Sequence, residues 1–174
     1  MAAAHYRRIL SELGNRGVRF VVCGGVAAVL HGVERLTLDI DIALDFEPRN
    51  VEVFVDVMTG MGMKPRVPVD PMQLCNAEFV KMIVEEKNAI VFTFIDPDKA
   101  VKQVDVFLTD ELAYAKLLPD TEELTLGDTS VRLLTKRKLL ALKEAIDPPR
   151  DKDVLDLREL RRLVAQEQEE HDRG

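Results

Sequence analysis

The segment from Val21 to Ile42, VVCGGVAAVLHGVERLTLDIDI, constrains the fold more than any other part of the chain. A short apolar run rich in β-branched residues, Val18 to Cys23, ends on Gly24-Gly25. That is the pattern of a buried strand entering a tight turn. Val26 to His31 predicts a short helix closed by Gly32, and Leu38 to Leu44 predicts a second strand. Period-two alternation places Asp39, Asp41 and Asp45 on one face and Ile40 and Ile42 on the other. Neighbouring carboxylates repel, and beside an apolar sheet they are costly unless a cation or hydrogen bonds offset them. Magnesium is a hard ion that prefers such oxygens. Glycines let a backbone approach a ligand closely, and a new helix presents free N–H groups to an anion. The spacing around Gly24-Gly25 is neither a P-loop nor a dinucleotide fingerprint.

The rest of the chain reads as a mixed sheet with helices against it, an α+β fold. Tyr6, Ile9, Leu10 and Leu13 recur at helical spacing within Ala2 to Asn15. Pro48 and Asn50 introduce a helix through Met58. Lys64 to Asn76 reads as a loop or irregular edge and Ala77 to Val84 as a strand. Ala89 to Ile95 and Val101 to Leu108 are strands about the turn Asp96-Pro97-Asp98-Lys99. The second of these carries a third acid, Asp105, on the same face as Gln103. If it neighbours Leu38 to Leu44, Asp39, Asp41 and Asp105 converge, and two metal ions can bridge them. Leu112 to Leu118 is a short helix, and Glu123 to Leu126 with Ser130 to Leu134 form a hairpin at Gly127-Asp128.

The character changes after Thr135, which can cap a helix running to Ile146 before Asp147-Pro148-Pro149 stops it. A second helix, Asp151 to Gln168, carries Val154, Leu157, Leu160, Leu163 and Val164 at helical spacing, and the charged end from Glu167 frays. The expected organisation is a core over residues 1–134 with a helical segment, residues 135–174, packed on it.

The net charge of −7 opposes non-specific nucleic-acid binding, which needs a basic footprint. The 47% apolar content argues against disorder. Two cysteines, Cys23 and Cys75, form neither a metal motif nor a disulfide framework. No stretch approaches the length of a membrane span, so the expected location is cytoplasmic with no membrane partner.

Four stretches together resemble the minimal nucleotidyltransferases of the polymerase-beta-like superfamily, especially the small bacterial toxin–antitoxin type. They are VVCGGVAAVLHG (Val21 to Gly32), RLTLDIDI (Arg35 to Ile42), VDVF (Val104 to Phe107), and LLALK followed by RDKDVLDLREL (Leu139 to Lys143, Arg150 to Leu160). The resemblance implies a nucleotidyltransferase-like core and magnesium-dependent transfer of a nucleoside monophosphate from a nucleoside triphosphate. It assigns Gly24 and Gly25 to the phosphate side, Asp39 and Asp41 to two magnesium ions, and Asp105 as the third carboxylate. Lys143 resembles a charge-neutralising residue near the phosphates; by position alone it is equally a solvated helix lysine. Arg35 contacts phosphate, braces Asp39 and Asp41, or makes a surface ion pair, and Thr37 either orients a carboxylate or favours strand geometry. His31 reads as a cap or packing residue. Arg150, Lys152, Asp153 and Asp156 read as a charged helix face, beside the site or simply wet.

The acceptor, a hydroxyl or a phosphate, stays open at this level: tRNA, protein or a small molecule. A cognate antitoxin or toxin is the implied protein partner. Val26 stands where such enzymes often have a serine able to contact phosphate. That departure keeps a second reading, an inactive nucleotide-binding or toxin–antitoxin interaction protein.

Overall fold

The computed structural model describes residues 2–173 and, apart from residues 2–4 and 100, their side chains. Residues 1 and 174, at the outer ends of the two expected segments, lie outside it. In chain order the elements are α1 (Ala2–Asn15), β1 (Phe20–Cys23), α2 (Gly24–Leu30), β2 (Asp39–Leu44), α3 (Pro48–Gly60), β3 (Lys64–Pro65) and α4 (Ala77–Lys87). They continue as β4 (Val91–Asp96), β5 (Lys99–Phe107), α5 (Tyr114–Leu117), β6 (Thr121–Leu126), β7 (Thr129–Leu134), α6 (Lys136–Glu144) and α7 (Asp151–Arg173).

The strands form one mixed sheet in the order β3-β4-β5-β2-β1-β7-β6. The β1–β2 and β4–β5 pairs are antiparallel, whereas β2–β5 and β1–β7 are parallel. Alternation gives the sheet two unlike faces. On one, Ile40, Ile42, Phe94, Val104 and Val106 are fully buried. There Phe54 of α3 meets Phe94 edge to face, ring centroids 5.5 Å apart. Each such side chain contributes about 1.5–3 kcal/mol by leaving water. The other face carries Asp39, Asp41, Thr93, Gln103 and Asp105. The apolar face therefore fixes the strands whose reverse side holds the acids.

Three stretches differ from the sequence reading. Ala77–Lys87 is a helix, not a strand: Asn76 accepts hydrogen bonds from the Glu78 and Phe79 amides at 3.0 and 3.2 Å, and Asn88 closes it in the left-handed region at φ 51°. The stretch from Lys64, expected as a loop or irregular edge, holds the short edge strand β3 and a 3-10 turn, Pro71–Cys75, capped by Asp70. Helix α7 does not fray at Glu167 but runs to Arg173, and Lys136 of α6 pairs with Glu167 at 2.8 Å.

Helices α6 and α7 pack against each other and against α2, beside the glycine turn. Thr135 caps α6 through the Lys138 amide at 3.3 Å. None of the described helices is long and apolar enough to cross a membrane.

Candidate functional site

Strand pairing sets Asp41 directly opposite Asp105 and Asp39 opposite Gln103 on the parallel strands β2 and β5. Adjacent strands lie about 4.8 Å apart, so the two facing carboxylates are near neighbours. Asp105 is 9% exposed, and both its oxygens are held. The Thr93 hydroxyl donates to Oδ1 at 2.6 Å, and Gln103 Nε2 donates to Oδ2 at 2.9 Å. The Gln103 amide oxygen in turn accepts from the Arg66 guanidinium. Burial pushes the Asp41 carboxyl up to about 6, with Asp105 and Asp39 adding repulsion. Lys152 and the Gly25 amide act in the opposite direction.

Gly24 and Gly25 open α2, which starts two residues earlier than the sequence reading, and the turn they make out of β1 is shaped by what lies against it. Gly24 has φ +57°, and a Cβ there would sit 1.9 Å from Asp41 Oδ2. A Cβ on Gly25 would sit 2.1 Å from an Arg35 terminal nitrogen and 2.9 Å from Thr37 Oγ1. Two glycines are thus needed for Asp41 and Arg35 to close on the turn. Thr37 precedes β2, so it is not a strand residue, yet its hydroxyl still reaches Gly25. Cys23 pairs with Asp41 across β1 and β2. Burial, then the Asp41 charge, pushes its thiol far up, which leaves it inert as a nucleophile.

Arg35 does not brace Asp39 or Asp41. Its Nε lies 2.6 Å from Asp156 Oδ1 on α7. Lys143 Nζ lies 2.7 Å from Asp156 Oδ2 and 3.1 Å from Asp153 Oδ1, and Arg150 Nε lies 2.6 Å from Asp153 Oδ2. Asp153 and Asp156 are wholly buried. The contacts to Asp156 are ionic at short range but lack good hydrogen-bond angles, since neither its oxygens nor Arg35 Nε makes a hydrogen bond. Burial alone would raise the Asp153 carboxyl; hydrogen bonds from Arg150 and Lys143 outweigh it and bring it to about 2. Lys143 is 7% exposed, so it is not a solvated helix lysine. His31 packs as read: Nε2 is 2.7 Å from the Leu134 carbonyl oxygen.

The structure brings Gly24, Asp41 and Asp105 together, and separately joins Gly25, Arg35 and Thr37. Lys143 meets Arg35 through Asp156. Among the described residues, no three His, Cys, Asp or Glu side chains gather closely enough to cage a metal ion. Asp39 stands one pleat along the strand, about 7 Å from Asp41, and faces Gln103 rather than Asp105. What fits a hard divalent cation is the oxygen pair of Asp41 and Asp105, whose mutual repulsion a cation would relieve. The expectation of three gathered acids narrows to that pair.

Sequence reading missed the buried roles of Asp153 and Asp156, as well as Thr93 and Arg66. One signal was available: Asp153, Asp156, Leu160 and Leu163 recur at helical spacing and define a single stripe. The acids sit on the buried side, whereas Val154 and Leu155 are 54% and 58% exposed.

No protein-family model matches the sequence, and no curated protein does. Seven chains of known structure do match. One is the lincosamide antibiotic adenylyltransferase LnuA with lincomycin bound, at TM-score 0.61 and 14% identity, covering 92% of this chain and 96% of that one. Another is an antigenic nucleotidyltransferase-like protein from Paracoccidioides brasiliensis, at TM-score 0.55 and 13% identity, covering 92% of this chain and 77% of that one. The chain therefore has a nucleotidyltransferase-like fold, a mixed sheet with C-terminal helices packed on it.

Proposed function

We propose that this protein transfers a nucleoside monophosphate from a nucleoside triphosphate to an acceptor hydroxyl. The observation that carries the reading is the register of Asp41 opposite Asp105, beside Gly24, in a nucleotidyltransferase-like fold. The acceptor oxygen bonds to the α-phosphorus, the bond from that phosphorus to the bridging oxygen breaks, and pyrophosphate leaves. Asp105 accepts the hydroxyl proton, its carboxylate aimed by Thr93 and Gln103. The Gly24-Gly25 turn holds the β and γ phosphates through backbone amides, which substitutes for the serine that Val26 replaces. Magnesium held by Asp41 and Asp105, with Asp39 on the same face, would neutralise charge developing on the transferred phosphate. Arg35, Thr37 and Lys143 position the turn and the C-terminal helices rather than the reacting atoms. In this reading residues 1–134 carry the chemistry and residues 135–174 clamp the turn.

A small hydroxylated molecule is the acceptor class best supported. The net charge of −7 disfavours RNA, and one protein of the same fold is an adenylyltransferase with a lincosamide bound. A toxin or antitoxin partner rests on the motif resemblance alone, and affinity purification under native conditions tests it.

The test of the reaction is pyrophosphate release from ATP, CTP, GTP and UTP with magnesium and a panel of hydroxylated acceptors. Activity in the wild-type chain, lost in Asp41→Ala and Asp105→Asn with triphosphate binding measured in parallel, supports transfer at this site. Undiminished release in both variants refutes it.

A further inference from the structure

A cavity of about 500 Å³ lies between α4 and the edge of the sheet. Most of its lining residues are apolar, Val67, Phe79, Met82, Ile83 and Val91 among them. Two cations, Arg66 and Lys87, border it, and no acid does. Thr93 also lines it, and the Thr93 hydroxyl is the group that donates to Asp105. Arg66 reaches the same carboxylate through Gln103. The cavity and the carboxylate pair therefore share a wall.

A second cavity, of about 590 Å³, competes for attention but stands apart from the chemistry. It includes Asp45, just past the end of β2 and four residues beyond Asp41, or roughly 13 Å away. It also carries Glu85 and Asp110, and neither side chain that hydrogen-bonds Asp105 lines it.

We infer that the cavity between α4 and β4 is the acceptor pocket, and that it takes a small, largely apolar molecule bearing a hydroxyl, neutral or anionic. This rests on the nucleotidyl-transfer reading for the word acceptor, whereas the ligand class follows from the wall itself. An apolar wall favours an apolar body. A rim of cations without a carboxylate repels a polyamine, so polyamino sugars are poor occupants. The ligand hydroxyl is the one polar group that needs a partner; Thr93 lines the cavity, and its hydroxyl is bonded to Asp105.

The experiment uses the whole chain and 2-naphthol, an apolar probe with one hydroxyl, followed by its fluorescence. The chain has no tryptophan to interfere. Saturable binding is expected, with no competition from kanamycin, a polyamino sugar. Met82→Glu places a charge in the apolar wall and weakens naphthol binding about tenfold or more. Val67→Glu does the same from a residue 50% exposed, where folding is not at stake. Binding of a fluorescent ATP analogue stays unchanged in both variants. Absence of naphthol binding, equal binding by both variants, or displacement by kanamycin overturns the assignment. Failure of the wild-type chain to bind the ATP analogue overturns nucleotidyl transfer instead, and the naphthol data still decide the ligand class.

Discussion

Replacing Asp156 by asparagine removes one charge and almost no volume, and it tests how the C-terminal helices are held. Asp156 is wholly buried, with Arg35 Nε at 2.6 Å and Lys143 Nζ at 2.7 Å. Asp156→Asn leaves both cations facing a neutral amide, with only Asp153 still near Lys143. Breaking a buried pair by removing one partner costs about 3–5 kcal/mol, because the charge left behind has lost its water. Domains of ordinary size have about 5–15 kcal/mol in total. At about 2–4 °C per kcal/mol for a chain of this length, the melting temperature falls by roughly 6–20 °C. Urea and thermal unfolding followed by far-ultraviolet circular dichroism measure this. A loss below about 1 kcal/mol is the value of a wet surface pair and would refute the buried-cluster account. A companion variant, Arg35→Met with Lys143→Met and Asp156→Leu, removes all three charges together and is expected to recover most of the loss.

Three further outcomes follow from the geometry. Gly24→Ala forces a Cβ to within 1.9 Å of Asp41 Oδ2 at φ +57°; it costs about 1–2 kcal/mol of strain and, by displacing Asp41 about 1 Å, roughly a hundredfold in pyrophosphate release. An alanine variant as active as wild type would contradict this. Asp41 is raised to about 6, above its unfolded value, so its contribution to stability is present below about pH 4 and lost as pH rises through 6. Asp41→Asn, without magnesium, is therefore expected to raise the urea midpoint at pH 7.5 and to leave it unchanged near pH 4; a lower midpoint at pH 7.5 reverses the sign of the argument. Asp153 is the opposite case: lowered to about 2, it contributes stability above about pH 4 that is lost as pH falls through 2. The stability gap between wild type and Asp153→Asn should close over that acid window in a urea titration series.

The glycine turn and the acid strand were legible because their signals are local. Alternation assigns faces without any knowledge of neighbours, and a double glycine after an apolar run marks a turn. The register of Asp41 against Asp105 was not legible, since it joins segments separated by α3, β3, α4 and β4. Helix α4 was misread because the apolar run Phe79, Val80, Met82, Ile83 and Val84 fits a strand period over a short window. The flanking Asn76 and Asn88 decide it, as cap and left-handed terminator. Asp153 and Asp156 were hidden by a sound prior: acids are almost never fully buried unless paired. Their partners Arg35 and Lys143 lie on other elements, and only the fold supplies them.

Charge is distributed in two unlike ways around the turn, and Arg150 is where the difference can be measured. The acids of β2 and β5 repel one another without a contacting cation, while Arg35 and Lys143 are already neutralised inside the cluster. Arg35, Lys143 and Arg150 outnumber Asp153 and Asp156 by one positive charge. That surplus faces out through Arg150, whose side chain is 60% exposed; its hydrogen bond to Asp153, with weaker attraction to Asp41 and Asp156, holds the guanidinium charged. An acidic strand beside a mildly positive wall is the polarity a metal-chelated polyphosphate needs. Arg150→Gln keeps the length and a donor but removes the charge; Lys143 still holds Asp153, so the fold loses about 1.5–3 kcal/mol. Triphosphate affinity should fall several-fold at low salt, and the difference from wild type should shrink at high salt, where an exposed charge is screened. Calorimetric titration with ATP at two ionic strengths reads both quantities. Equal affinities at low salt would mean that the surplus charge faces solvent and not the nucleotide.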